Sequence, residues 1–122
     1  MSSSKKRLLL VLRRAPYGDP LARASLDVAL AAAAFEQDIQ LLFMDDGVWQ
    51  LLPGQEPAQL AAKNMLSTLR SMPLYDLETF HVDAESLAQR QLRPEQLDGT
   101  IELLTAQQLP AFLDSFDQVL GF

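Results

Sequence analysis

Five short apolar runs, each parted from the next by helix-forming chemistry, constrain this chain more than any other feature. Leu8-Leu9-Leu10-Val11-Leu12 is apolar at every position, as a strand covered on both faces must be. Ile39 to Met44 is the second run, and Asp45-Asp46-Gly47 closes it with turn residues. Thr79-Phe80-His81-Val82 is the third. Thr100 to Leu104 is the fourth. It alternates more and carries Glu102, so one face meets water or the strand lies near an edge. Gln118 to Phe122 is the fifth.

The intervening segments read as helices. Asp19-Pro20 offers a favoured N-cap followed by a proline at the first helical position, where its missing N–H costs nothing. A helix is expected from there to about Glu36. Pro57 is expected to open a second, to about Ser71, with Ala58, Ala61, Ala62, Met65, Leu69 and Met72 on one face. Asp83 caps a short third helix through Arg90, and Pro94 to Leu97 adds a turn. Thr105-x-x-Gln108 is a capping-box pattern. Pro110 then either delays the helix or distorts its first turn. This alternation predicts parallel strands joined by right-handed crossovers. The expected fold is α/β: a single Rossmann-like, doubly wound domain over residues 1–122, with a mainly parallel five-stranded sheet and helices on both faces. Residues 1–6, with their serines, are expected to form a flexible tip.

Composition narrows the function. The 122 residues carry a net charge of −6. Five basic residues fall within residues 1–14, which leaves an acidic body. Such a body repels phosphate backbones and argues against direct nucleic-acid binding. No apolar run approaches the roughly 20 residues of a membrane helix, and the Leu8–Leu12 run is too short for a signal peptide. A cytoplasmic location is expected. There is no cysteine. This removes disulfides, thiolate metal sites and any persulfide carried on this chain.

Ligands of doubly wound sheets bind beyond the carboxyl ends of the strands. Four stretches lie there: Arg13 to Asp19, Asp45 to Gln55, Asp83 to Ser86, and the region of Thr105. The first has no glycine-rich phosphate motif. Arg13 and Arg14 keep a small-anion site open, against the plainer reading of a solvent-facing strand end. Asp45 and Asp46 read as turn formers rather than a converging acid pair. A phosphotransfer receiver would need acidic residues where this chain has Arg13-Arg14. His81 is the sole histidine and lies in a strand. It has no G-x-S-x-G elbow and no second metal-binding histidine to work with. No catalytic residue, cofactor site or metal site is expected.

Four stretches together resemble a known family. Asp46-Gly47-Val48-Trp49-Gln50-Leu51-Leu52-Pro53-Gly54-Gln55 resembles the D-G-V-x-Q-L-L-P-G-Q signature of TusC-type members of the DsrE/DsrF/DsrH family. Ala15-Pro16-Tyr17-Gly18 resembles that family's A-P-[HY]-G turn. Leu74-Tyr75-Asp76 and the closing Phe116-Asp117-Gln118-Val119-Leu120-Gly121-Phe122 resemble two further segments. The resemblance implies one subunit of a sulfur relay. In TusBCD-type assemblies three homologous chains form a heterotrimer that pairs into a heterohexamer. Sulfur passes as a persulfide from TusA to a cysteine of TusD and on to TusE, and ends in 2-thiouridine at the wobble position of tRNA. DsrEFH-type assemblies serve dissimilatory sulfur oxidation. The resemblance implies that the C/F-type subunit supplies no accepting cysteine, and that its partners are TusB-like and TusD-like chains, with a TusA-like donor and a TusE-like acceptor.

Against this stand two other readings: an isolated enzyme using Arg13, Arg14, Asp45 and Asp46 as a small-anion site, and a stand-alone binding domain without chemistry. The apolar side chains of Val48, Trp49, Leu51 and Leu52, crowded into one connection, are the candidate partner interface. The alternative is that this connection folds back over its own sheet.

Overall fold

In the computed structural model, residues 6–15, 20–34, 38–53, 67–75 and 77–122 are described. Strand β1 is Arg7–Leu12, β2 Asp38–Phe43, β3 Thr79–Asp83, β4 Thr100–Leu104 and β5 Gln118–Gly121. Helix α1 is Pro20–Ala34, α2 is described over residues 67–71, α3 is Ala84–Gln89 and α4 Leu109–Asp114. All four strand pairings are parallel, in the order β4-β3-β2-β1-β5. The expected α/β fold with helices on both faces is what forms. The Asp19 cap, residues 57–66 of the expected second helix, Gly54-Gln55 and most of the N-terminal tip lie outside the described residues.

Strand order dictates how the helices divide. From β1 to β4 the chain steps repeatedly in one direction, so right-handed crossovers put α1, α2 and α3 on one face. The β4-to-β5 crossover runs back the other way and puts α4 on the opposite face. Side-chain alternation along the strands then divides the core in two. The larger half joins Leu10, Leu12, Ile39, Leu41, Phe43, Phe80 and Val82 to Leu26 and Ala29 of α1, Leu69 of α2 and Leu87 of α3. The smaller joins Leu9, Val11, Leu42 and Leu104 to Phe116, with Leu109, Phe112 and Leu113 of α4 packed against them. Each fully buried Leu or Phe contributes about 1.5–3 kcal/mol relative to exposure.

β4 and β5 are the two edges, which accounts for the polar side chains of the fourth run. The capping box of Thr105 and Gln108 does form: the Thr105 amide donates to Gln108 Oε1 at 2.9 Å and the Gln108 amide to Thr105 Oγ1 at 3.3 Å. It closes a turn rather than a helix. The helix proper starts at Leu109 with Pro110 inside its first turn, where the ring removes no hydrogen bond. Arg7 fastens this segment to the sheet. Its amide donates to Asp117 Oδ2 at 2.7 Å and its Nη1 to the Ser115 carbonyl at 2.8 Å, while Nε reaches Asp38 at 3.2 Å. The guanidinium also lies 4.6 Å over the Phe116 ring.

The connection after β2 is more ordered than a plain loop. Asp45–Leu51 winds into a 3₁₀ helix, entered through Asp45 at a left-handed φ of 51°, which a short polar side chain tolerates. A Cβ at Gly47 would lie 1.9 Å from the Leu12 carbonyl oxygen, so only glycine lets this segment pass beneath the end of β1. Gly47→Ala is expected to destabilise the domain by about 3 kcal/mol through forced backbone displacement. Urea unfolding monitored by circular dichroism checks this, and an unchanged midpoint would show that the close approach is dispensable.

Candidate functional site

The carboxyl ends of the strands gather Arg13, Arg14, Asp45, Asp46, Asp83 and Ser86 on one rim, as the parallel topology requires. Hydrogen bonds join the loops. Asp83 Oδ2 accepts from the Ser86 amide at 3.1 Å and from the Ser86 hydroxyl at 2.6 Å, capping α3. The Ser86 hydroxyl oxygen accepts in turn from the Asp45 amide at 2.9 Å, so the loops after β2 and β3 are tied through one buried serine. Asp46 pairs with Arg90 at 3.0 Å, and Arg90 also donates to the Ser86 carbonyl at 3.1 Å. The acidic dipeptide is thereby split. Asp45 uses its backbone and Asp46 its carboxylate, each toward a different neighbour.

Ser86 is 1% exposed, and its proton is committed to a carboxylate that serves as a helix cap. No group of three or more metal-ligating side chains occurs among the described residues.

The connection after β2 turns mostly inward. Val48 and Leu51 are wholly buried in the larger core. Trp49 and Leu52 are half-buried. Gln50, which sequence reasoning passed over, is 1% exposed, and its Nε2 donates to the Arg14 carbonyl at 2.8 Å. Its Oε1 is buried with no partner among the described residues, a deficit of about 1–3 kcal/mol for an amide oxygen. The only signal for this clamp in the sequence is a polar side chain inside an otherwise apolar stretch. Arg13 and Arg14 are exposed.

His81 lies on the opposite side of the sheet from the larger core, under α4. Its ring stacks obliquely on Phe112 with centroids 4.6 Å apart. Nε2 faces Gln40 Oε1 at 3.3 Å. An amide oxygen can only accept, so Nε2 carries the proton. Nδ1 is then a buried lone pair without a hydrogen bond, 3.8 Å from Glu102 Oε1. Burial pushes the imidazole below its ordinary value, and the Glu102 carboxylate partly offsets this. The histidine is a packing residue with one unpaired nitrogen.

Comparison with known proteins identifies the architecture. The DsrE/DsrF-like family profile matches residues 6–122. The chain belongs to the DsrE/DsrF-like family. A TusC homolog of Pseudomonas aeruginosa is 41% identical over 113 residues, covering 93% of this chain and 95% of that one. A TusC homolog of Vibrio parahaemolyticus is 38% identical, covering 95% and 98%. The intracellular sulfur oxidation protein DsrF of Allochromatium vinosum is 32% identical over the full length of both. The crystal structure of the Escherichia coli ychN protein superposes with a TM-score of 0.78 at 26% identity, covering 96% of this chain and 99% of that one. Within the DsrE/DsrF-like family this chain is thus TusC-like, and no helix among its described residues is long and apolar enough to cross a membrane.

The histidine gives this domain a measurable pH response. A folded-state value below the unfolded one means that the unfolded chain binds more protons as acid is added. The stability held above the unfolded histidine value of about 6.5 is therefore expected to fall as pH drops toward the folded value. His81→Gln should flatten that slope in urea unfolding between neutral and mildly acidic pH. In Glu102→Gln the His81 resonance should titrate lower still, because the one favourable charge is gone. A His81 titration at or above the free-peptide value would refute this account.

Proposed function

We propose that this chain is a non-catalytic structural subunit of a cytoplasmic, TusBCD-like sulfur relay, working beside TusB-like and TusD-like chains in a heterotrimer that pairs into a heterohexamer. The relay receives persulfide sulfur from a TusA-like donor, delivers it to a TusE-like acceptor, and serves 2-thiolation of the tRNA wobble uridine. One observation carries this reading: a chain that belongs to a sulfur-relay family contains no cysteine, and the thiolate is the group that accepts sulfur. The buried, cap-bound Ser86 offers no substitute. The similarity to DsrF along the whole chain supports a second reading, in which the same non-catalytic role is played in sulfur oxidation.

Deletion of the gene separates the two. Loss of 2-thiouridine from tRNA, restored by the intact gene, supports the thiolation relay, whereas unchanged thiolation with impaired sulfur oxidation supports the second. When the assembled complex is incubated with a labelled persulfide donor, the label is expected on a partner and not on this chain. Covalent label recovered on this chain would refute the non-catalytic role.

Trp49 and Leu52 are proposed as the partner contact. Val48 and Leu51 were candidates for the same surface, but their side chains are spent on the domain's own core. Trp49 is the only tryptophan, so its emission reports on this connection alone. Assembly should shift that emission to the blue, and Trp49→Ala should weaken assembly by about 2 kcal/mol. Unchanged emission together with unchanged assembly affinity would rule the contact out.

A further inference from the structure

Where β1 and β5 end side by side, a depression of about 360 Å³ is lined by Arg13, Arg14, Gly121 and Phe122. It lies at the carboxyl ends of these two neighbouring strands, the end of a doubly wound sheet where ligands are held. We propose that this depression binds a small oxyanion of the carboxylate or phosphate class, gripped by the Arg13 guanidinium with Arg14 beside it. The site is separate from the proposed partner contact at Trp49 and does not depend on the sulfur-relay reading.

Three observations support it. The first is charge. Arg7, Arg23, Arg70, Arg90 and Arg93 each pair with a carboxylate. Arg13 pairs with none among the described residues, although the chain as a whole is acidic. A guanidinium stays protonated at any physiological pH and presents a planar fork of donors that matches an oxyanion.

The second is rigidity. The Arg13 amide donates to the Phe122 carbonyl at 3.1 Å, and the Phe122 amide to the Val11 carbonyl at 2.9 Å. Buried Gln50 holds the Arg14 carbonyl at 2.8 Å. The main chain beneath both arginines is fixed by residues far away in sequence, so less freedom is lost when an anion binds. Gln50 makes this bond while its own Oε1 goes unpaired among the described residues, so the amide is oriented toward the arginine turn and not by its own full satisfaction.

The third is space. A Cβ built at Gly121 meets nothing within 4 Å, and Gly121 lines the depression. Its φ is not in the left-handed region, so a larger side chain is accommodated at this lining position without backbone strain.

Titration of the full-length chain with inorganic phosphate at constant ionic strength, followed by two-dimensional nitrogen–proton NMR, tests the site. Saturable shifts are expected at the Arg13 Nε–H and at the amides of Arg13, Gly121 and Phe122. Arg13→Gln should weaken binding roughly tenfold, the effect of losing one charge-assisted contact. Gly121→Leu should weaken it as much by occupying the cavity, while leaving the rest of the spectrum in place. Arg93→Gln, which removes an equal charge elsewhere, should leave the affinity unchanged. Absence of saturable shifts at tens of millimolar phosphate would overturn the proposal. Equal weakening by Arg13→Gln and Arg93→Gln would also overturn it, because the effect would then be one of net charge.

Discussion

The approach of Gly47 to the end of β1 organises everything at the carboxyl rim of the sheet. With no side chain at that position, the 3₁₀ segment Asp45–Leu51 can pass under the Leu12 carbonyl. The Met44 amide then donates to that carbonyl at 3.0 Å. Three consequences follow along seven residues. Asp45 offers its amide to Ser86, Val48 and Leu51 drop into the core, and Gln50 reaches back to Arg14. A methyl group at position 47 would disturb all three at once. The segment is a wedge that joins the ends of β1, β2 and β3.

The two faces of the sheet are built to different standards. One is covered by α1, α2 and α3 and includes most of the wholly buried side chains. The other is covered by a helix of six residues and retains polar side chains within its interior, among them His81 and Gln40. Burying an imidazole without a partner for one nitrogen is costly in a dry core, and it is tolerable where Glu102 stands exposed at the rim. The asymmetry follows from topology alone. Only one of the four crossovers runs backwards along the sheet, so among the described residues only α4 covers that face.

Much of this was legible in the sequence because the local signals agree with the global fold. The unbroken apolar run Leu8–Leu12 marks β1 as central, and Glu102 marks an edge. The bonds made by Asp83, Thr105 and Gln108 are those their residue types predict. Less was legible where a residue's role depends on partners distant in the chain. Val48, Trp49, Leu51 and Leu52 read alike as exposed apolar side chains, but the helical winding of Asp45–Leu51 turns Val48 and Leu51 inward and leaves Trp49 and Leu52 half-buried. Gln50 stood out only as a polar side chain in an apolar stretch. Its importance comes from Arg14, 36 residues earlier in the chain, and no periodicity encodes such a pairing.

The attachment of α4 and β5 has a dynamic consequence. Among the described residues β5 pairs only with β1, and the segment between α4 and β5 is held by Arg7, by way of Asp117, Ser115 and Phe116, and by the burial of Phe116 in the smaller core. The remaining four strands keep their pairings and their three-helix cover if this unit lifts away. Opening free energies in a folded protein range from near zero up to that of global unfolding, and they are lowest where buried apolar contacts are few. The amides of the α4–β5 unit are therefore expected to exchange with solvent sooner than those of the central strands β1, β2 and β3.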